Sequence, residues 1–185
     1  MIILNILGYN RIAIVGNNGS GKSFLAKELS VIRKLPLVHL DVEFWSPNWK
    51  KPPKDEWIKK QMELTSMEKW IIDGNHTETM ELRFKAADIV IFLDINRYVC
   101  LVSVLLRNGK KRSDTPQYLE EKFDKGFLHL CKGLWSFSRT RKRTIMNLHI
   151  KYPDKPFFII KSRREMKKLL NQWKDEKAQY INPAL

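Results

Sequence analysis

With 43% hydrophobic and 29% charged side chains, the 185-residue chain has the composition of an ordinary soluble globular protein and is long enough for one proper core. Its apolar runs fall short of the roughly 20 residues that cross a bilayer, residues 2–7 are too short and lack the charged flank of a signal peptide, and Cys100 and Cys131 lack metal-ligand spacing, so a reduced, cytoplasmic protein without zinc is expected. The outlier is a formal net charge of +14, from 34 basic and 20 acidic residues, which points to polyanionic ligands without choosing between nucleotides and nucleic acid.

Along the chain, residues 1–10 read as an extra edge strand or a disordered extension. Short apolar runs at 12–15, 37–40, 70–72, 89–93 and 157–160 read as strands. Amphipathic stretches at 21–33, 54–69, 77–86, 97–107, 117–137, 139–150 and 164–178 read as helices. Asn108-Gly109 marks a stop for the fourth, and Ser162-x-x-Glu165 is a capping box that opens the last. Such alternation predicts a single α/β domain over 1–185, a parallel sheet with helices on both faces, and no repeat or second domain.

The most specific signal is Gly16-Asn17-Asn18-Gly19-Ser20-Gly21-Lys22-Ser23, a complete G-x-x-x-x-G-K-S run between a strand and a helix. Its glycines allow backbone N–H groups to turn inward on a phosphate, and the following helix adds its positive end. Lys22 is placed to reach the β/γ oxygens and Ser23 to offer a hydroxyl to Mg²⁺, so the run predicts a nucleoside triphosphate site. Three strands end in carboxylates. Asp73, closing Trp70-Ile71-Ile72, is the candidate magnesium-side acid, and Asp41 the candidate base or second magnesium-shell group across the cleft. Asp94 reads as a helix cap, and His39, His76, His129 and His149 as surface or satisfied histidines.

Arg107, Lys110, Lys111 and Arg112, together with Arg139, Arg141, Lys142 and Arg143, flank Ser113-Asp114-Thr115-Pro116. They read as a basic lid over a triphosphate, with Arg107 and Arg141 the chosen catalytic groups, or as a solvated face. Phe123, Phe127, Leu130, Leu134 and Trp135 recur at helical spacing and read as core rather than a base-stacking platform.

The phosphate loop, His39-Leu40-Asp41 with Phe44-Trp45 and Trp49, Trp70-Ile71-Ile72-Asp73-Gly74-Asn75, Ile91-Phe92-Leu93-Asp94 and Lys161-Ser162-Arg163-Arg164-Glu165 together carry a resemblance. Over 11–173 the chain resembles the adenylate-kinase-related P-loop kinases known as DNA topology modulation proteins of the FlaR type. The resemblance implies a five-stranded parallel sheet in the order 2-3-1-4-5, a helical lid with its following helices at about 108–150, and ATP with Mg²⁺ as donor. It also places Arg107 on the donor phosphates and Arg163 in a loop over the adenine. The chain departs from adenylate kinases where Asn75-His76-Thr77, not Phe-Pro-Arg, follows Asp73-Gly74, and where a Trp/Pro/Lys segment at 44–54 replaces an arginine. The acceptor clamp is therefore missing, and Lys50, Lys51 and Arg83 stand as substitute phosphate contacts. The function expected is γ-phosphoryl transfer to a small molecule, a nucleotide or nucleoside above all. A nucleic-acid-binding regulator modulated by ATP and an NTPase without an acceptor are the alternatives.

Overall fold

The computed structural model describes residues 5–107 and 125–181. Its centre is a sheet of five parallel strands, β1 (Arg11–Gly16), β2 (Leu37–His39), β3 (Trp70–Asp73), β4 (Ile89–Leu93) and β5 (Phe157–Ile160), in the order β2-β3-β1-β4-β5. The helices are α1 (Lys22–Arg33), α2 (Leu40–Phe44), α3 (Lys54–Ser66), α4 (Met80–Ala86), α5 (Arg97–Arg107), α6 (Lys125–Ser136), α7 (Arg141–Lys151) and α8 (Arg163–Ile181). Fold class and strand order are those expected.

The inner strands are continuous apolar runs because both faces are covered. Alternate side chains then serve two cores. Ile12, Ile14, Ile89 and Ile91 meet Leu25, Leu29, Val104, Leu134 and Trp173, whereas Ala13, Val15, Ile72 and Phe92 meet Leu40, Trp57, Phe84, Ile145 and Leu148. Strand order reverses at β1, between β3 and β4, and a crevice opens there at the carboxyl edge. The register sets Ile14 against Asp73, His39 against Asp73 and Gly16 against Leu93, so every strand-end group named above reaches that edge.

Several expectations change. Residues 6–8 form a single 3-10 turn capped by the Asn5 side chain, and Ile6 is fully buried in the first core, so this stretch is neither edge strand nor loose extension. α2 was not anticipated, being only five residues long and anchored by fully buried Leu40. α3 ends at Ser66 because the Thr65 and Ser66 hydroxyls donate to carbonyls of Gln61 and Glu63 and compete with helix continuation. Asp94 does not cap α5. Asn96 sits directly before the helix and accepts from Tyr98 N at 2.9 Å, while Asp94, two residues earlier, takes Lys142 Nζ at 2.9 and 2.7 Å. Trp135 is 49% exposed, with the Arg97 guanidinium 4.3 Å from its ring centre, rather than in the core with Phe127 and Leu134. Glu165 reaches back to Lys161 N, one residue beyond the box geometry, while Ser162 accepts from Glu165 N. Asn108-Gly109, Phe123 and the lid core at 108–124 lie outside the described residues.

Gly74, at φ +135°, joins β3 to the loop that follows it, and a Cβ there would lie 2.8 Å from Leu40 Cβ. Gly74→Ala should therefore cost about 1–3 kcal/mol of stability in urea unfolding. The exposed Gly8, which has no neighbour within 4 Å of its Cβ position, is the control and should change by less than about 0.5 kcal/mol.

Candidate active site

The run from Gly16 to Gly21 makes a tight loop whose space and torsions exclude side chains. At Gly19 φ is +74° and a Cβ would strike the Cys100 carbonyl; at Gly16 it would lie 2.7 Å from Leu93 O. α1 begins at Lys22 with no side-chain cap, so its first N–H groups remain directed into the loop. Asn17 is 3% exposed and braces the loop, accepting from Asn18 N at 2.8 Å and donating to Leu134 O at 3.1 Å. Ser20 Oγ is buried beside Gly16 without a hydrogen-bond partner among the described residues. Lys22 Nζ donates to Asn17 O at 3.0 Å. Burial pushes the Lys22 ammonium below its ordinary pKa, the Asp41 and Asp73 carboxylates oppose that, and Arg107 reinforces it. The glycine cradle, the helix terminus and Lys22 together fit a polyphosphate.

The acidic edge stands opposite. Ser23 Oγ donates to Asp73 Oδ2 at 2.9 Å, and His39 Nδ1 bonds Asp73 Oδ1 at 2.5 Å, with Asp73 only 4% exposed. The cross-strand register of His39 and Asp73 dictates this pairing. Magnesium keeps several waters and needs only one or two protein oxygens beside the phosphates, so a hydroxyl and carboxylate 2.9 Å apart at the mouth of a phosphate loop suit it. No cluster of three or more acidic, histidine or cysteine ligands occurs among the described residues. Asp41, exposed at the start of α2, lies 3.2 Å from His76 Nε2. Both histidines are satisfied groups, as expected, and the acids that satisfy them are the two candidate site carboxylates. His39 ends β2 two residues before Asp41. His149, by contrast, stacks on Phe157 in the second core.

Around Asp41 and His76 the segment at 44–57 builds an aromatic wall. Phe44 packs against Trp45, Trp57 and His76 with ring centres 4.9, 4.9 and 4.5 Å apart, and Trp45 meets Trp49 at 5.4 Å. An isolated bridge from Ser46 to Lys50 closes the turn, Lys51 lies over Trp45, and Trp49 is 47% exposed. Trp49 and His76 both hold positive φ (+55° and +34°), a strained state for side-chain-bearing residues that concentrates at functional sites.

The basic residues divide. Arg107, half-buried at the end of α5, acts on Lys22. Arg163 donates to Gly19 O at 2.9 Å and to Ser103 Oγ, tying the start of α8 to the phosphate loop. Arg141 heads α7 with its guanidinium beside Gly133 of α6, and no contact to the loop is seen for it. Lys142 is held by Asp94, at the wall of an open cavity of about 210 Å³ bounded also by Asn17, Asn96, Arg97 and Trp135. Arg83 is 1% exposed inside α4, beneath the Asn75–His76 backbone, and so is no surface phosphate contact. Lys110, Lys111 and Arg112 lie outside the described residues.

No protein-family model matches the chain, and no curated protein matches it in sequence. Solved structures do. A shikimate kinase from Acinetobacter baumannii, determined in complex with shikimate, aligns with a TM-score of 0.55 at 12% identity, over 95% of this chain and 93% of that one. A gluconokinase from Sinorhizobium meliloti aligns with a TM-score of 0.53 at 15% identity, over 92% and 93%. A shikimate kinase from Bacteroides thetaiotaomicron follows at 0.50 and 14%, over 91% and 98%. The chain has the P-loop kinase fold. At these identities the likeness is one of fold, and it does not confirm the FlaR-type resemblance. No helix among the described residues is long and apolar enough to cross a membrane.

Gly19→Ala places a Cβ on the Cys100 carbonyl and forces the loop to move. Its affinity for a fluorescent ATP analogue should fall by about tenfold or more, equivalent to about 1.4 kcal/mol, in direct titration. Retention of wild-type affinity would show that the cradle does not hold the phosphates.

Proposed function

We propose that the protein is an ATP-dependent kinase that transfers the γ-phosphoryl group to a hydroxyl of a small acceptor, with Mg²⁺ as the metal. The observation that carries this reading is one lysine, Lys22, in the field of two carboxylates with different surroundings: buried Asp73 bonded to Ser23, and exposed Asp41 beside His76. The likeness in fold to kinases of shikimate and gluconate supports a hydroxyl acceptor. The fuller reading, on the FlaR-type resemblance, is an adenylate-kinase-related phosphotransferase of the cytoplasm.

Gly16, Asn17, Asn18, Gly19, Ser20 and Gly21 cradle the phosphates, and Lys22 spans the β/γ oxygens. Ser23 and Asp73 would hold a magnesium ion, which would supply charge neutralisation to the transferred group. Arg107 is assigned to the developing negative charge on its reach to Lys22, Arg141 to the same charge from α7, and Arg163 to the donor side through its hold on Gly19. Asp41 orients or deprotonates the acceptor hydroxyl, and His76 fixes the Asp41 carboxylate. The exposed Trp49, packed against half-buried Trp45, suits a ring-bearing acceptor. Because Arg83 is engaged by the protein backbone, a nucleoside or another unphosphorylated hydroxyl compound is favoured over a nucleotide.

Lys22→Ala should abolish turnover of ATP, by about 10³-fold or more, and leave the unfolding midpoint nearly unchanged, because the lysine neutralises charge and adds little to the core. Equal turnover in the two proteins, both binding ATP, would remove the loop from the mechanism. Asp73→Asn should weaken Mg²⁺ dependence and turnover together. Asp41→Asn should leave ATP affinity within about threefold and depress transfer by about 10²-fold or more, the usual worth of general base catalysis. Steady-state kinetics over a Mg²⁺ series separates the two, and the opposite pattern would exchange their roles.

A further inference from the structure

Arg83 is an anomaly of burial. Its guanidinium lies 1% exposed in the second core, where Nη1 donates to Gln61 Oε1 at 2.5 Å and to Thr79 Oγ1 at 3.3 Å. Nη2 donates to the carbonyls of Asn75 and His76, the latter at 3.4 Å. All these acceptors are neutral. Burial pushes the group down to about 9, so it keeps its charge at neutral pH. A buried cation without a carboxylate partner is costly, and an apolar side chain of similar volume would stabilise the core at least as well. Packing alone therefore does not explain an arginine here.

Its hydrogen bonds end on the segment that joins the two halves of the site. Asn75, whose carbonyl Arg83 holds, grips the first residue of the phosphate loop at both backbone groups: Asn75 Oδ1 accepts from Gly16 N at 3.1 Å and Nδ2 donates to Gly16 O at 2.8 Å. His76, whose carbonyl Arg83 also holds, has positive φ and aims its ring at Asp41. Asp73 lies two residues upstream, and Gly74 N is fixed to Ile14 O at 3.1 Å. One guanidinium thus fixes the backbone between the group that braces the phosphate loop and the group that aligns the acceptor carboxylate.

We propose that Arg83 is a positioning residue for phosphoryl transfer, holding the acceptor side (Asp41 and His76) in register with the phosphate loop (Gly16) through the backbone of Asn75 and His76. Its part in transfer rests on the kinase reading; its hold on the loop does not. A lysine at this position keeps the charge but, as a single nitrogen, cannot hold Gln61 and both loop carbonyls in the forked geometry of a guanidinium.

The test uses the full-length protein with ATP, Mg²⁺ and water as the phosphoryl acceptor. Arg83→Lys should bind a fluorescent ATP analogue within about threefold of wild type while kcat falls by about 30-fold or more, the split expected when ground-state nucleotide binding survives and alignment is lost. Hydrogen exchange at the amides of Gly16 and of 74–79 should speed by about tenfold, whereas that of β4 should not change. An unchanged kcat, or a loss of kcat with unchanged exchange at these amides, overturns the proposal. If Arg83→Lys fails to fold, Asn75→Ala cuts the same relay one step later, and an undiminished kcat in that variant also overturns it. If the wild-type protein itself releases no phosphate from ATP with water as the only acceptor, exchange alone decides for Arg83, faster amides supporting its hold on the loop and unchanged amides refuting it.

Discussion

The parallel register of β1, β2 and β3 is the constraint on which the rest of the site depends. It sets Ile14 beside Asp73 and Asp73 beside His39, so that β2 and β3 deliver their terminal polar groups, His39 and Asp73, to one edge within hydrogen-bonding reach beside β1. A shift of one residue would turn these side chains to the opposite faces and bury carboxylates among the isoleucines. The register is strongly specified because both faces of the inner strands are apolar and covered, and any slip exposes one core while charging the other. The sheet thus positions the chemistry as a consequence of protecting its own core.

Below that edge lies a layer of buried polar groups, Asn17, Ser20, Asp73, Asn75 and Arg83 among them, which a core optimised for stability alone would not contain. Most are tied to backbone or to one another: Asp73 to Ser23 and His39, Asn75 to Gly16, Arg83 to the loop after β3. A satisfied buried network is rigid, since moving any member strands the others without partners in a medium of low dielectric. That rigidity holds a strained His76 and a glycine-bearing phosphate loop in one arrangement. Ser20 Oγ, which lacks a partner among the described residues, stands out against this background at the wall of the phosphate cradle.

The net charge of +14 acquires a local meaning from the fold. Many of the basic residues are engaged in pairs: Lys142 with Asp94, Arg11 with Asp88, Lys151 with Glu81 and Lys174 with Glu28. Around Lys22, in contrast, burial and the neighbouring Arg107 push the ammonium below its ordinary pKa while the Asp41 and Asp73 carboxylates oppose that. Such a balance of opposed charges in a partly dry cleft suits a ligand that brings its own negative charge together with a divalent cation.

How much of this was legible beforehand follows the range of the interactions. The phosphate loop, the strands and the strand-end acid Asp73 are local patterns of a few consecutive residues, where torsional and hydrophobic demands act on neighbours in the chain, and they stand in the structure where the sequence puts them, whereas Asp41 falls in the first turn of α2. The pairing of Asp73 with His39, the hold of Asn75 on Gly16 and the burial of Arg83 join residues 34, 59 and 8 positions apart. No spacing rule links such positions, so the sequence reads His39 and His76 as surface or satisfied groups without naming their partners, and Arg83 as a substitute phosphate contact. Asp94 and Trp135 misled for the same reason, since a cap differs from an ion pair, and a core ring from a surface one, only in what another element brings alongside. By itself the sequence determined the fold class, the phosphate loop and the order of the strand-end acids, because each depends on local geometry and apolar periodicity. Which polar groups are paired, strained or buried was decided only by tertiary structure, because those states depend on the packing of segments far apart in the chain.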